Sequence, residues 1–219
     1  PMYPDGSAAP PISVDGNPAD WSGIAPVIVE IADTGVTNGP DIANVYMTND
    51  ATNAYFMIDA RNIGPLVPLT INIDSDRNLA TGYNSNTDTN VPKLFNQLHG
   101  VGIDSFIRIV SPTSTVPPSN PVATLYNVAT AAAWTETLVS TLATGSSWGT
   151  PGQPYYVEVA VPLSSITRGA TRAIQPLPWN LVFGLPVFTI GGPWDEAPNN
   201  VSFSYPPPAL TSPTVATVA

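Results

Sequence analysis

The feature that most constrains the fold is a two-residue rhythm. Residues 155 to 161 read Tyr-Tyr-Val-Glu-Val-Ala-Val. Tyr155, Val157, Val159 and Val161 share one face, while Tyr156, Glu158 and Ala160 share the other, as in a strand with one buried side. Similar runs rich in Val, Ile, Tyr and Phe predict strands at 27–31, 42–48, 54–59, 69–74, 103–110, 122–126, 134–139, 181–190 and 201–205, with Gly, Pro, Asn and Asp between them. Helical periodicity is nearly absent. Only Leu163-Ser164-Ser165-Ile166, after Pro162, reads as one helical turn. Asn49-Asp50-Ala51-Thr52-Asn53 reads as a hairpin connection. Pro186 inside 181–190 predicts an edge strand or a bulge. Many short strands with no room for crossover helices predict an all-β chain, a jelly-roll-type β-sandwich of two antiparallel sheets. The sandwich is expected over 12–205, with an extended segment at 1–11 and a Pro-rich tail at 206–219.

Composition narrows the function. Six Lys+Arg stand against 16 Asp+Glu, a formal net charge of -10. Such a field repels nucleic acid and anionic lipid, because phosphate binding needs clustered cations. It suits divalent cations and neutral partners. Charged residues make up only 10% of the chain, so Thr, Ser, Asn, Pro and Gly must cover the surface, as is more usual outside cells. No apolar run reaches the length of a membrane span. The absence of cysteine removes disulfides, thiol catalysis and Cys-based zinc binding, and leaves metal or assembly as the extra restraint.

Several stretches resemble a family. Ile12-Ser13-Val14-Asp15-Gly16-Asn17-Pro18-Ala19-Asp20-Trp21 is similar to the opening of domains of carbohydrate-binding module family 9 and related DOMON-like domains. Residues 41–56 resemble that family's next hairpin, and 73–83 its acidic loop. Val157-Glu158-Val159-Ala160-Val161-Pro162-Leu163 resembles its late strand. The resemblance spans roughly residues 12 to 205 in order. It implies a jelly-roll-type sandwich with structural calcium, found in extracellular proteins. Kinship at this level covers glycan binders, enzyme appendages and purely structural domains.

Asp74, Asp76 and Asn78 form the best local cation site. Alternate oxygen side chains on a turning loop can converge on one hard ion, and calcium takes six to eight oxygens. The loop is not an EF-hand, since Gly82 comes too late and no closing Glu follows. A solvated turn is the competing reading, because Asp and Asn favour turns; the match to the family's acidic loop tips the balance to metal. Asp59, ending the preceding strand, and Asp104, starting the following one, are candidates for further oxygens. Asp15 is expected to hold backbone amides at a tight turn with Gly16, and Trp21 to be buried.

Trp148, Trp179 and Trp194 lie in Gly/Pro-rich stretches. Each could stack on a sugar ring or simply pack, and packing is the commoner role. Catalysis has little support. His99 is the only histidine, no Gly-x-Ser-x-Gly elbow is present, and no Gly-rich loop opens a helix. Asn200-Val201-Ser202 fits an N-glycosylation sequon on a predicted strand. The tail carries the β-prone run Thr214, Val215, Ala216, Thr217 and Val218, either a linker or a strand donated to a neighbour. The leading expectation is a secreted or cell-surface structural subunit, without enzymatic activity, whose partners are other copies of itself. A calcium-stabilised carbohydrate-binding module, with polysaccharide as partner, comes second, and a hydrolase a distant third.

Overall fold

Alternating runs become antiparallel strands throughout. The structure, a computed structural model, describes residues 11–29, 41–50, 52–61, 69–78, 80–83, 102–110, 121–128, 136–148, 155–166, 179–185, 195–197 and 203–205. The strands are β1 (Ile28–Val29), β2 (Asp41–Asn49), β3 (Asn53–Arg61), β4 (Leu69–Asp74), β5 (Ser105–Val110), β6 (Val122–Val128), β7 (Glu136–Trp148), β8 (Tyr155–Pro162), β9 (Trp179–Leu185), β10 (Asp195–Ala197) and β11 (Phe203–Tyr205). No α-helix occurs among the described residues, and none of their helices could cross a membrane.

The ladders join into one continuous sheet in the order β1-β2-β3-β8-β7-β6-β5-β4-β9-β10, with β11 also pairing β9. Every pairing is antiparallel. The long strand β7 connects the two halves. Glu136 to Leu142 pair with β6, and Ala143 to Trp148 pair with β8. The sheet curls strongly. Phe56 of β3 and Phe183 of β9, six steps apart in the order, meet edge to face with ring centroids 6.0 Å apart. The far end also returns, with β10 lying against β2.

One core fills the curl. Val45 and Met47, then Ala54, Phe56, Ile58 and Ala60, join Val157, Val159 and Val161 from one half. Leu69, Ile71, Ile73, Ile107, Ile109, Leu125, Leu181 and Phe183 join from the other. Burying a side chain of this size contributes about 1.5–3 kcal/mol, so the strand faces read from the sequence are what hold the curl shut. A smaller cluster, Tyr83, Ile103, Phe106 and Val128, sits apart from it, with Tyr126 against it. Phe106 and Tyr126 stack at 4.9 Å, and the Arg108 guanidinium lies 5.2 Å from each ring centroid.

Residues 13–24 form a strap over the outer face of β2, β8 and β7. Its Pro18–Trp21 turn is a 3-10 helix capped by Asn17, whose side chain accepts from the Ala19 amide. Trp21 is buried and meets the Tyr46 ring edge-on at 6.3 Å. The strap explains why the outer-face residue Glu158, to which Asp15, Gly16 and Trp21 donate, is buried too, against simple alternation.

The β2–β3 hairpin forms as expected. Asp50 Oδ1 accepts from the Thr52 and Asn53 amides at 2.6 and 2.7 Å, and Oδ2 from the Tyr55 hydroxyl at 2.8 Å. Burial pushes the Asp50 carboxyl up, but these donors outweigh it and leave it below the ordinary value. The turn after Pro162 is a 3-10 helix at Leu163–Ser165. Of the run at 181–190, residues 181–185 lie in β9 (Trp179–Leu185), and the rest, Pro186 included, lies outside the described residues. Two readings shift. Of the run at 134–139, residues 136–139 open β7, which continues to Trp148 through Gly145. β10 had no counterpart in the expected strands.

Candidate functional site

The loop after β4 builds an acidic centre. Asp74 ends β4, and Asp104 stands one residue before β5. The Asp104 amide donates to the Ile73 carbonyl at 2.9 Å, which sets the two acids side by side across the β4–β5 pair. Asp74, Asp76 and Asp104 each offer an oxygen, and these lie within 4.8 Å of one another. Asp74 and Asp104 are buried, and Asp76 is half-exposed.

The loop is held in shape by its own donors. Asp104 Oδ2 accepts from the Ser75 amide at 3.0 Å and hydroxyl at 2.8 Å. Asp76 Oδ1 accepts from the Asn78 amide at 2.9 Å, and Oδ2 from the Thr81 hydroxyl at 2.7 Å. Asp74 accepts from the amides of Asn78 and Gly102, each at 3.3 Å. Gly82 takes φ +68, and a β-carbon there would meet the Ile103 carbonyl carbon at 2.6 Å, so the loop needs glycine to close on the Tyr83–Ile103 bridge.

Burial pushes the Asp104 carboxyl up, and the charges of Asp76 and Asp74 add to that push against the Ser75 donors. Three carboxylates held this close repel one another, and a cation between them would relieve the repulsion. The donors are all oxygen, which suits a hard divalent ion completed by carbonyls or water. Asp74, Asp76 and Asp104 are the residues that would hold it. Asn78 takes part through its backbone amide, while its side-chain oxygen accepts from the Ala80 amide at 3.1 Å.

Asp59 lies elsewhere. It sits on β3 between β2 and β8, and its Oδ2 accepts from the Asn44 side-chain amide at 3.0 Å. Oδ1 is buried and has no hydrogen-bond partner. The cross-strand row Asn44, Asp59, Tyr156 faces out, with Tyr46 two residues along β2. Burial raises the phenols of Tyr46 and Tyr156, and the Asp59 charge raises them further.

At a third location, Glu158 is the anchor of the strap. It is fully buried. Its Oε2 accepts from the Asp15 amide at 2.9 Å and the Gly16 amide at 2.6 Å. Its Oε1 accepts from the Trp21 indole at 2.6 Å. Asp15 caps the turn as expected, accepting from the Asn17 amide at 2.8 Å. The signal for Glu158 was present but unread: one acid inside an otherwise apolar strand, with an Asp-Gly turn and a Trp upstream.

The aromatic candidates are only partly placed. Trp148 ends β7 opposite Tyr155, and Trp179 begins β9 opposite Tyr205. Trp194, His99 and the run Thr214 to Val218 lie outside the described residues. Comparison with protein-family models and with curated protein sequences finds no match to this chain.

Proposed function

We propose that this chain is a non-catalytic structural subunit of an extracellular fibre or surface layer, whose copies join by adding a strand to a neighbour's open sheet edge. The sheet of each subunit closes into two packed layers of jelly-roll type, and calcium at Asp74, Asp76 and Asp104 fastens the β4–β5 end. One observation carries this reading. Among the described residues the sheet ends at β1 on one side and at β10 and β11 on the other, and in sequence β11 is followed directly by Pro206-Pro207-Pro208 and the β-prone run 214–218. Edge strands expose unpaired amides and carbonyls, and a donated strand satisfies them with many hydrogen bonds at once. Contacts of this head-to-tail kind extend into filaments when they do not close. Negative-stain electron microscopy of the purified protein in calcium is expected to show fibres or ordered sheets. Dispersed single particles across a wide concentration range contradict the proposal.

The calcium part has its own test. An ion bound only by the folded state stabilises it by roughly 2.7 kcal/mol at a hundredfold excess over Kd. For a domain of this size that is about 5–10 °C in Tm. Chelator is expected to lower Tm by that order, and Asp74→Asn to abolish the difference between calcium and chelator. Equal melting curves for the wild type in both conditions count against the ion.

A second reading, a calcium-stabilised carbohydrate-binding module, is favoured by Tyr46 and Tyr156. These two half-exposed tyrosines on one outward face offer a hydroxylated ring apolar faces to stack on and phenol hydroxyls to hydrogen-bond. Affinity electrophoresis in soluble polysaccharides tests it. Unretarded migration in every gel counts against it.

A further inference from the structure

We infer that the outer face of β2, β3 and β8 carries a binding site for a quaternary ammonium group, with the rings of Tyr46 and Tyr156 as its contacts and the Asp59 carboxylate beneath them as its counter-charge. Such a site asks for a cation, where the two readings above ask for a strand or a neutral sugar. The sheet register puts the three residues together. Asp59 on β3 stands directly opposite Tyr156 on β8 and Asn44 on β2. Tyr46 is its diagonal neighbour, two residues along β2 from Asn44, and diagonal positions lie within reach of aromatic side chains. Trp21 of the strap meets the Tyr46 ring edge-on and helps fix where it stands. Both tyrosines are only half-buried.

Asp59 is the unusual member. It is 6% exposed. Its Oδ2 accepts from the Asn44 side-chain amide at 3.0 Å, and its buried Oδ1 has no hydrogen-bond partner. A buried carboxylate held by so little is unfavourable, and a cation nearby relieves it. The Asp59 charge is felt at both phenols, where it adds to burial in raising them, and Tyr156 acts on Tyr46 in the same sense. The negative field therefore emerges where the two rings stand. A cation placed there gains from that field and from the negative ring faces together.

The burial of Oδ1 decides which cation. A primary ammonium or a metal ion gives up water on entry and needs oxygen contacts to replace it. A buried oxygen cannot supply them. A quaternary ammonium has no hydrogen to donate, its methyl groups pack on ring faces, and it needs only the charge below. A resident cation opposes it. Arg61 is exposed, stands opposite Asp41, and its charge bears on Tyr156 from two residues along β3.

Choline and its uncharged isostere, with carbon in place of the nitrogen, test the site by NMR titration of the tyrosine ring signals in the full chain. Choline is expected to shift Tyr46 and Tyr156. It is expected to bind about tenfold tighter than the isostere, the size of one pK unit of charge interaction. Asp59→Asn keeps the shape and the Asn44 contact, and is expected to remove that preference while leaving isostere binding unchanged. Arg61→Gln is expected to tighten choline alone. Equal affinity of the wild type for the two probes overturns the proposal, even where Asp59→Asn fails to fold. An unchanged preference in Asp59→Asn, or no choline shift at the two rings, overturns it as well. Shifts of the same rings by a neutral oligosaccharide and not by choline assign the face to the carbohydrate reading instead.

Discussion

Glu158→Ala is expected to lower folding stability by about 3–5 kcal/mol, the cost of stranding several buried hydrogen-bond donors at once. The argument follows from what remains. The Asp15 and Gly16 amides and the Trp21 indole all donate to this one carboxylate. Alanine leaves three donors facing a gap, and a buried donor without an acceptor costs about 1–3 kcal/mol. The strap then lifts, and Trp21 loses its seat against Tyr46. Urea unfolding measures the loss, and Trp fluorescence reports the strap. Glu158→Gln keeps the shape and one acceptor oxygen, so its loss is expected to be smaller. A Glu158→Ala protein within 1 kcal/mol of wild type, an order-of-magnitude threshold for a neutral change, would show that the strap is not anchored here.

The same residue sets a pH dependence. Burial pushes the Glu158 carboxyl up, the Gly16, Trp21 and Asp15 donors pull it down, and the Asp20 charge adds to the upward side, leaving it raised. Between the ordinary glutamate value and the raised one, the folded protein holds a proton that the unfolded chain has lost. Stability from this group is therefore greatest below that window and falls as pH rises through it. Glu158→Gln is expected to flatten that slope.

Gly145→Val is the second large effect, expected at about 3 kcal/mol because backbone, not a flexible side chain, must move. A β-carbon at 145 would sit 2.4 Å from the Gly16 nitrogen and 2.6 Å from Asp15 backbone atoms. Gly16 is tied reciprocally. Its φ of +84 disfavours any side chain, and its β-carbon would sit 2.2 Å from the Ser146 carbonyl carbon. The two glycines let the strap lie directly on β7 while Glu158 holds it from β8. Gly145→Val and Glu158→Ala disrupt one contact, so the double variant is expected to fall short of the summed losses by about 1–3 kcal/mol. Additive losses would mean that the two residues act on separate parts of the fold.

The strand faces were legible because alternation is local. Tyr155, Val157, Val159 and Val161 needed only their own spacing to predict a buried face, and all four are in the core. Asp74 and Asp76 were legible for a similar reason, lying on one turning loop. Asp104 joins them because β4 and β5 pair directly. Asp59 does not, because sequence neighbours are not sheet neighbours. Four other strands separate β3 from β4 in the sheet, namely β8, β7, β6 and β5. Glu158 and Gly145 were silent for a deeper reason. Their role depends on a segment about 140 positions away in the chain crossing the sheet at one place, and no local pattern encodes such a crossing. The small residues of 140–148 look like a loop until that close approach is known.

Sedimentation velocity is the most direct measurement of whether copies of this chain link through the tail. Wild-type protein in calcium should show large, concentration-dependent species. A Val215→Asp/Val218→Asp variant should stay at the 22.9 kDa monomer, because charge on the donated strand cannot be desolvated at a neighbour's edge. A wild-type boundary that remains monomeric at every concentration, or a variant that assembles as readily as the wild type, contradicts the account.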